Sequence, residues 1–122
     1  MHDITNIDRM KNRTAVAMGF FDGLHIGHRT VIERAVSYKK RGLASTVLTF
    51  DSLSSLSKLT DGDRILFDDL KYKILEDIGI ENIYRPEFNR LKDMTTDEFV
   101  KNILVDKLNA KVVICGFDFR FG

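Results

Sequence analysis

Apolar and polar positions along the chain fall into a strand-helix alternation that repeats to its last residues. Ala15, Val16, Ala17 and Met18 make a short, unbroken apolar run, the pattern of a parallel strand covered on both faces. Val31, Ile32, Ala35 and Val36 then lie on one helical stripe, with Gly42 placed to stop the helix. Ser45-Thr46-Val47-Leu48-Thr49-Phe50 is β-branched and aromatic, a second strand. Residues 51–61 are rich in serine and leucine without periodicity and read as a long loop. Ile65, Leu66, Leu70, Ile74, Leu75 and Ile78 restore helical spacing across 63–78, and Gly79 supplies the stop. Asn82-Ile83-Tyr84-Arg85 is a third strand, left at Pro86. Thr95 with Glu98 forms a capping-box pattern ahead of a stripe of Phe99, Ile103, Leu104 and Leu108. Lys111-Val112-Val113-Ile114-Cys115 is a fourth strand, ending at Gly116. Residues 1–13 are mixed, with Ile4 and Ile7 suited to a short edge strand or a turn. Strand-helix-strand units imply a parallel sheet, so the expected class is α/β with a doubly wound, mostly parallel sheet.

Composition narrows the picture. At 122 residues, 43% hydrophobic and 30% charged, the chain suits one domain with a modest core. A net charge of +1 leaves no basic footprint for nucleic acid, so no nucleic-acid partner is expected. No apolar run approaches a membrane span, and His2, Asp3, Asp8, Arg9 and Lys11 do not make a signal peptide; the cytoplasm is the default expectation. Cys115 stands alone, which rules out an internal disulfide, and its place at the end of an apolar strand predicts a buried, inert thiol. Lys39-Lys40-Arg41 complement the C-terminal end of a helix dipole.

The chemistry concentrates between the first strand and its helix, in Gly19-Phe20-Phe21-Asp22-Gly23-Leu24-His25-Ile26-Gly27-His28. A helix N-terminus has unpaired N–H groups and the positive end of the dipole, and so attracts phosphate. Gly23 and Gly27 lack side chains that would hold a polyphosphate away from the backbone. His25 and His28 are three residues apart, so both imidazoles can address one anion where the turn winds into the helix. Asp22, His25 and His28 also have a spacing compatible with zinc, but the set lacks a convincing fourth ligand.

The segment GFFDGLHIGH resembles the first motif of the bacterial FAD synthetase family, the FMN adenylyltransferase part of bifunctional riboflavin kinase/FAD synthetases, and the closing GFDFRFG resembles a second. With the order of elements between them, the resemblance covers nearly the whole chain. It implies a Rossmann-like nucleotidyltransferase fold, with the two motifs facing one crevice where the strand order reverses. It implies transfer of AMP from ATP to FMN, giving FAD and pyrophosphate, with Mg2+ accompanying ATP. His25 and His28 are the implied catalytic pair, and Gly19, Phe21, Asp22, Gly23 and Gly27 belong to the loop around the triphosphate. Gly116, Asp118, Phe119 and Phe121 would border the nucleotide. Where the family usually continues with proline and histidine after Thr49-Phe50, this chain has Asp51-Ser52-Leu53-Ser54. A later Ser-Ser-Thr signature, the fifth strand and a riboflavin kinase domain do not follow, so the expectation is one partial domain over 1–122, a fragment of a longer protein, with its sheet incomplete at the C-terminal end. The alternatives are another nucleotidyltransferase of the superfamily, acting on pantetheine phosphate or a nicotinamide nucleotide, and a non-catalytic nucleotide-binding copy.

Overall fold

A computed structural model of the chain describes residues 1–19, 26–49, 72–86 and 91–115, and of residues 26–28 the backbone alone. Five strands form one sheet: β1 (His2–Asp3), β2 (Thr14–Met18), β3 (Ala44–Leu48), β4 (Asn82–Tyr84) and β5 (Ala110–Cys115). Their order is β1-β4-β3-β2-β5, and every pair is parallel. The chain thus works outward from β2 through β3 to β4, then crosses back to lay β5 on the other side of β2.

Helix α1 (Ile26–Ser37) returns the chain from β2 to β3. Its stripe behaves as the spacing predicts, with Ile32 and Ala35 fully buried against Ala17 and Val47. A 3-10 turn over Tyr38–Arg41 extends the helix before Gly42, at φ +78°, ends it. Helix α2 (72–78) packs Leu75 on the same face, beside Ile80 and Ile83. The loop of 51–61 and the helical spacing of 63–71 lie outside the described residues, as does Phe50.

The opposite face carries α3, which starts as an α-helix (Thr96–Phe99) and continues as a π-helix (Val100–Lys107). Thr95 caps it as expected, accepting the Glu98 N–H at 3.1 Å. The wider winding was not legible as such, yet the sequence contains its cause. Phe99, Ile103 and Leu108 are spaced by four and then five residues, and an i→i+5 bond such as Leu108 N–H to Ile103 O (2.9 Å) keeps all three on one side. All three are buried with Leu104, Val16, Met18, Leu48 and Tyr84. Residues of β2 therefore alternate between two cores, Val16 and Met18 under α3 and Ala17 under α1 and α2. This is the doubly wound α/β architecture.

One open expectation is resolved and one is corrected. Of the two readings for Ile4 and Ile7 the turn holds, with Ile7 N–H donating to Ile4 O at 3.1 Å, and the edge strand lies just before it at His2–Asp3. Cys115 is exposed rather than buried. Among the described residues β5 has only β2 beside it, and its side chains alternate between half-buried and exposed, so an apolar sequence there does not guarantee a covered thiol. No helix among the described residues is long and apolar enough to cross a membrane.

Candidate active site

The sheet sets side by side the ends of the two strands that lead into the motif-bearing segments. Met18 of β2 pairs in register with Cys115 of β5, at the carboxyl ends of both strands. One segment leaves the sheet at Gly19 and the other at the peptide bond after Cys115, so their departure points are adjacent parallel strands about 4.8 Å apart. Strand order reverses between β2 and β5, the position at which open α/β sheets bind ligands.

Gly19 is buried, and its N–H donates to Leu48 O at 3.1 Å, extending the β2–β3 ladder one residue beyond Met18. The backbone of α1 begins at Ile26, so Gly27 and His28 lie in its first turn. That turn contains no acidic residue to compete with an anion for its N–H groups. Phe21, Asp22, Gly23 and His25 lie outside the described residues, as do Gly116, Asp118, Phe119 and Phe121, and of His28 only the backbone is placed. The structure accordingly brings together Gly19, the first turn of α1 and the exit of β5. Among the described residues no His, Cys, Asp and Glu cluster suited to a metal ion occurs.

The rim continues past β3, where Thr49 N–H donates to Tyr84 O at 3.0 Å, to the end of β4. Here a cluster forms that sequence reasoning did not find. Asp3 Oδ1 accepts from Thr5 N–H (3.0 Å) and Thr5 Oγ1–H (2.5 Å), and Arg85 N–H donates to Thr5 Oγ1 at 3.1 Å. The Arg85 guanidinium stands 3.6 Å from Asp3 Oδ2 and 5.9 Å from the Tyr72 ring centroid. Partial burial works to raise the Asp3 pKa, but the Thr5 hydrogen bonds and the Arg85 charge together hold it below the ordinary carboxylate value. Burial, with the Asp3 charge second, pushes the Tyr72 phenol up. Burial alone raises the Cys115 thiol. Residues eighty apart make the Asp3, Thr5 and Arg85 cluster, and no local pattern announces it.

A parallel sheet that reverses order beside its first motif-bearing strand is a doubly wound α/β domain with a nucleotidyltransferase-like fold. The FAD synthetase family model matches residues 7–122, and the chain belongs to that family. It is 32% identical over 98% of its length to a protein of Buchnera aphidicola subsp. Schizaphis graminum named bifunctional riboflavin kinase/FMN adenylyltransferase, covering 39% of that protein. The similarly named protein of Listeria monocytogenes is 33% identical over 99% of this chain and 40% of its own length. A Listeria monocytogenes protein named FAD synthetase is 32% identical over 98% of this chain and 50% of its own length. The chain therefore spans half or less of these relatives.

Proposed function

We propose that this chain is an FMN adenylyltransferase domain over residues 1–122, transferring the AMP moiety of ATP to FMN and releasing pyrophosphate. The observation that carries the reading is the in-register pairing of Met18 with Cys115, which starts both motif segments from one point of the rim. The names of the relatives support the choice of substrates. In this reading a phosphate oxygen of FMN attacks the α-phosphorus of ATP in line. A new P–O bond forms, the bond to the bridging oxygen of the β-phosphate breaks, and pyrophosphate departs; Mg2+ accompanying ATP would screen the triphosphate charge. No general base is required, since the attacking phosphate is already ionised. Catalysis is positioning and stabilisation of charge.

His28, carried in the first turn of α1, and His25 donate to phosphate oxygens as negative charge grows. Gly23 and Gly27 let the backbone approach the triphosphate, with Gly19, Phe21 and Asp22 shaping the same loop. Gly116, Asp118, Phe119 and Phe121 border the nucleoside. The reaction is placed in the cytoplasm.

The test is pyrophosphate and FAD formation from MgATP and FMN. His28→Ala is expected to lower turnover by about 10²-fold or more, the usual cost of losing one charge-stabilising donor, while shifting ATP affinity much less. Unchanged turnover refutes the role of His28. Pyrophosphate release with pantetheine phosphate or nicotinamide mononucleotide, and none with FMN, moves the activity to another acceptor. Binding of ATP and FMN without any pyrophosphate marks a non-catalytic copy.

A further inference from the structure

At the amino end of the sheet, opposite the candidate active site, a hollow of about 470 Å3 opens where β2 and β3 begin. Lys11 and Arg13 line it from the segment entering β2, Lys39 from the turn after α1, and Asn12, Gly42 and Glu81 complete its polar lining. The backbone beneath these side chains is fixed. Lys11 O accepts from Asn109 Nδ2 at 3.2 Å, Arg13 O from Ala44 N–H at 2.9 Å, and Lys39 O from Gly42 N–H at 3.0 Å. Gly42 leaves its side of the hollow open, since a Cβ there would meet nothing within 4 Å. The carboxylate in the lining, Glu81, has both oxygens engaged. Its Oε2 accepts from Ser45 N–H at 3.2 Å, and Oε1 stands 3.8 Å from Lys39 Nζ. Lys11 and Arg13 make no ion pair among the described residues.

We infer that this hollow binds a di- or triphosphate group, at a place separate from the candidate active site and independently of the adenylyl transfer proposed above. Three cations against one carboxylate leave two positive charges uncompensated in the lining, an excess that the chain's net charge of +1 conceals. Like charges gathered around one small volume repel, and an entering polyanion relieves that repulsion. The Arg13 guanidinium offers a fork of donors that matches phosphate oxygens, the two ammonium groups adjust on flexible stems, and the Asn12 amide adds N–H donors. Carbonyls at the end of a helix would oppose an anion, but here they are occupied. Tyr38 O accepts from Leu43 N–H at 3.3 Å, as Lys39 O does from Gly42. Among the described residues the lining holds no aromatic side chain, so it recognises phosphate rather than a base or a ring. Its volume falls in the range of small-molecule sites. The five residues each of β2 and β3 set it roughly 15 Å from the carboxyl rim, far enough for both places to be filled at once.

The test titrates inorganic tripolyphosphate, without Mg2+, into the 15N-labelled chain and follows backbone amide signals by NMR. Those of Asn12, Gly42 and Leu43 are expected to shift. Lys11→Gln combined with Arg13→Gln is expected to weaken the binding that these signals report by about tenfold or more, the loss of two charge-assisted contacts. The thermal midpoint of the ligand-free double variant is expected to stay in place, because both side chains are exposed and unpaired among the described residues. Arg34→Gln combined with Lys73→Gln removes the same charge from exposed positions elsewhere and is expected to leave the affinity as it was. Added salt is expected to weaken binding. Shifts confined to Gly19 and the first turn of α1 overturn the inference, as does an affinity unchanged in the Lys11 and Arg13 variant, or lowered equally in the Arg34 and Lys73 variant. ATP in place of tripolyphosphate identifies the source. Equal shifts at the same amides make the ligand a nucleotide held by its phosphates, and shifts with tripolyphosphate alone make it an inorganic polyphosphate; either result supports the site.

Discussion

Replacing Gly79 by alanine tests how the fold delivers β4 to the rim. Gly79 ends α2 at φ +113°, well beyond the usual left-handed value near +57°. Its N–H donates to Leu75 O at 3.2 Å and to Glu76 O at 3.1 Å, and the Ile80 N–H reaches Leu75 O at 3.1 Å, closing the helix end. Its own carbonyl accepts from Ser45 Oγ at 3.0 Å, which ties the turn to β3. An alanine must hold a conformation costing an L-residue about 1–2 kcal/mol or more. Its Cβ also falls 3.3 Å from Val36 Cγ1, in the packed layer between α1 and α2. Gly42 is the internal control. Its φ is +78° and a Cβ there meets nothing within 4 Å, so Gly42→Ala carries the backbone cost without the contact. Urea denaturation is the assay. With a slope of about 1–3 kcal/mol per M, Gly79→Ala is expected to lower the midpoint by roughly 1 M, at unchanged slope. Gly42→Ala is expected to lower it by less. A Gly79→Ala midpoint equal to or above that of Gly42→Ala would refute the claim that backbone strain and Val36 together require glycine at this turn.

Two further outcomes follow from the titrating groups. The Asp3 pKa is lowered on folding, so the unfolded chain binds the proton more tightly and the Asp3 contribution, present above the unfolded carboxylate pKa, is lost as pH falls through the folded value. Thermal midpoints measured from pH 6 down to pH 3 should fall less steeply in Asp3→Asn, by a small margin because the pair is open to water; parallel slopes would count against the assignment. Cys115, exposed but with its thiol raised above the ordinary 9.0, should be alkylated by iodoacetamide without denaturant, slowly at neutral pH and faster as pH climbs past 9. Resistance to alkylation in the native chain contradicts the exposure.

Much of the fold was legible because its causes are local. The apolar run at Ala15–Met18, the stripe of Ile32 and Ala35 and the cap at Thr95 depend on residues close in sequence, and each lies where its pattern predicts. Gly42 and Gly79 were readable as stops for the same reason, since glycine takes a positive φ at the least cost. Cys115 misled because burial depends on what lies beside the strand, and among the described residues β5 has only β2 for a neighbour.

The sequence by itself determined the order of strands and helices, the glycine-rich entry to α1 and the family, because periodicity, turn chemistry and motif spacing are written along the chain. The resemblance implied a reversal of strand order beside the first motif; only the tertiary structure decided that Met18 stands opposite Cys115 and that Asp3 meets Arg85 at the other end of the rim. The reason is physical. Sheet order and register are settled by which apolar faces bury one another across long sequence separations, as Val16 does with Phe99 in one core and Ala17 with Leu75 in the other.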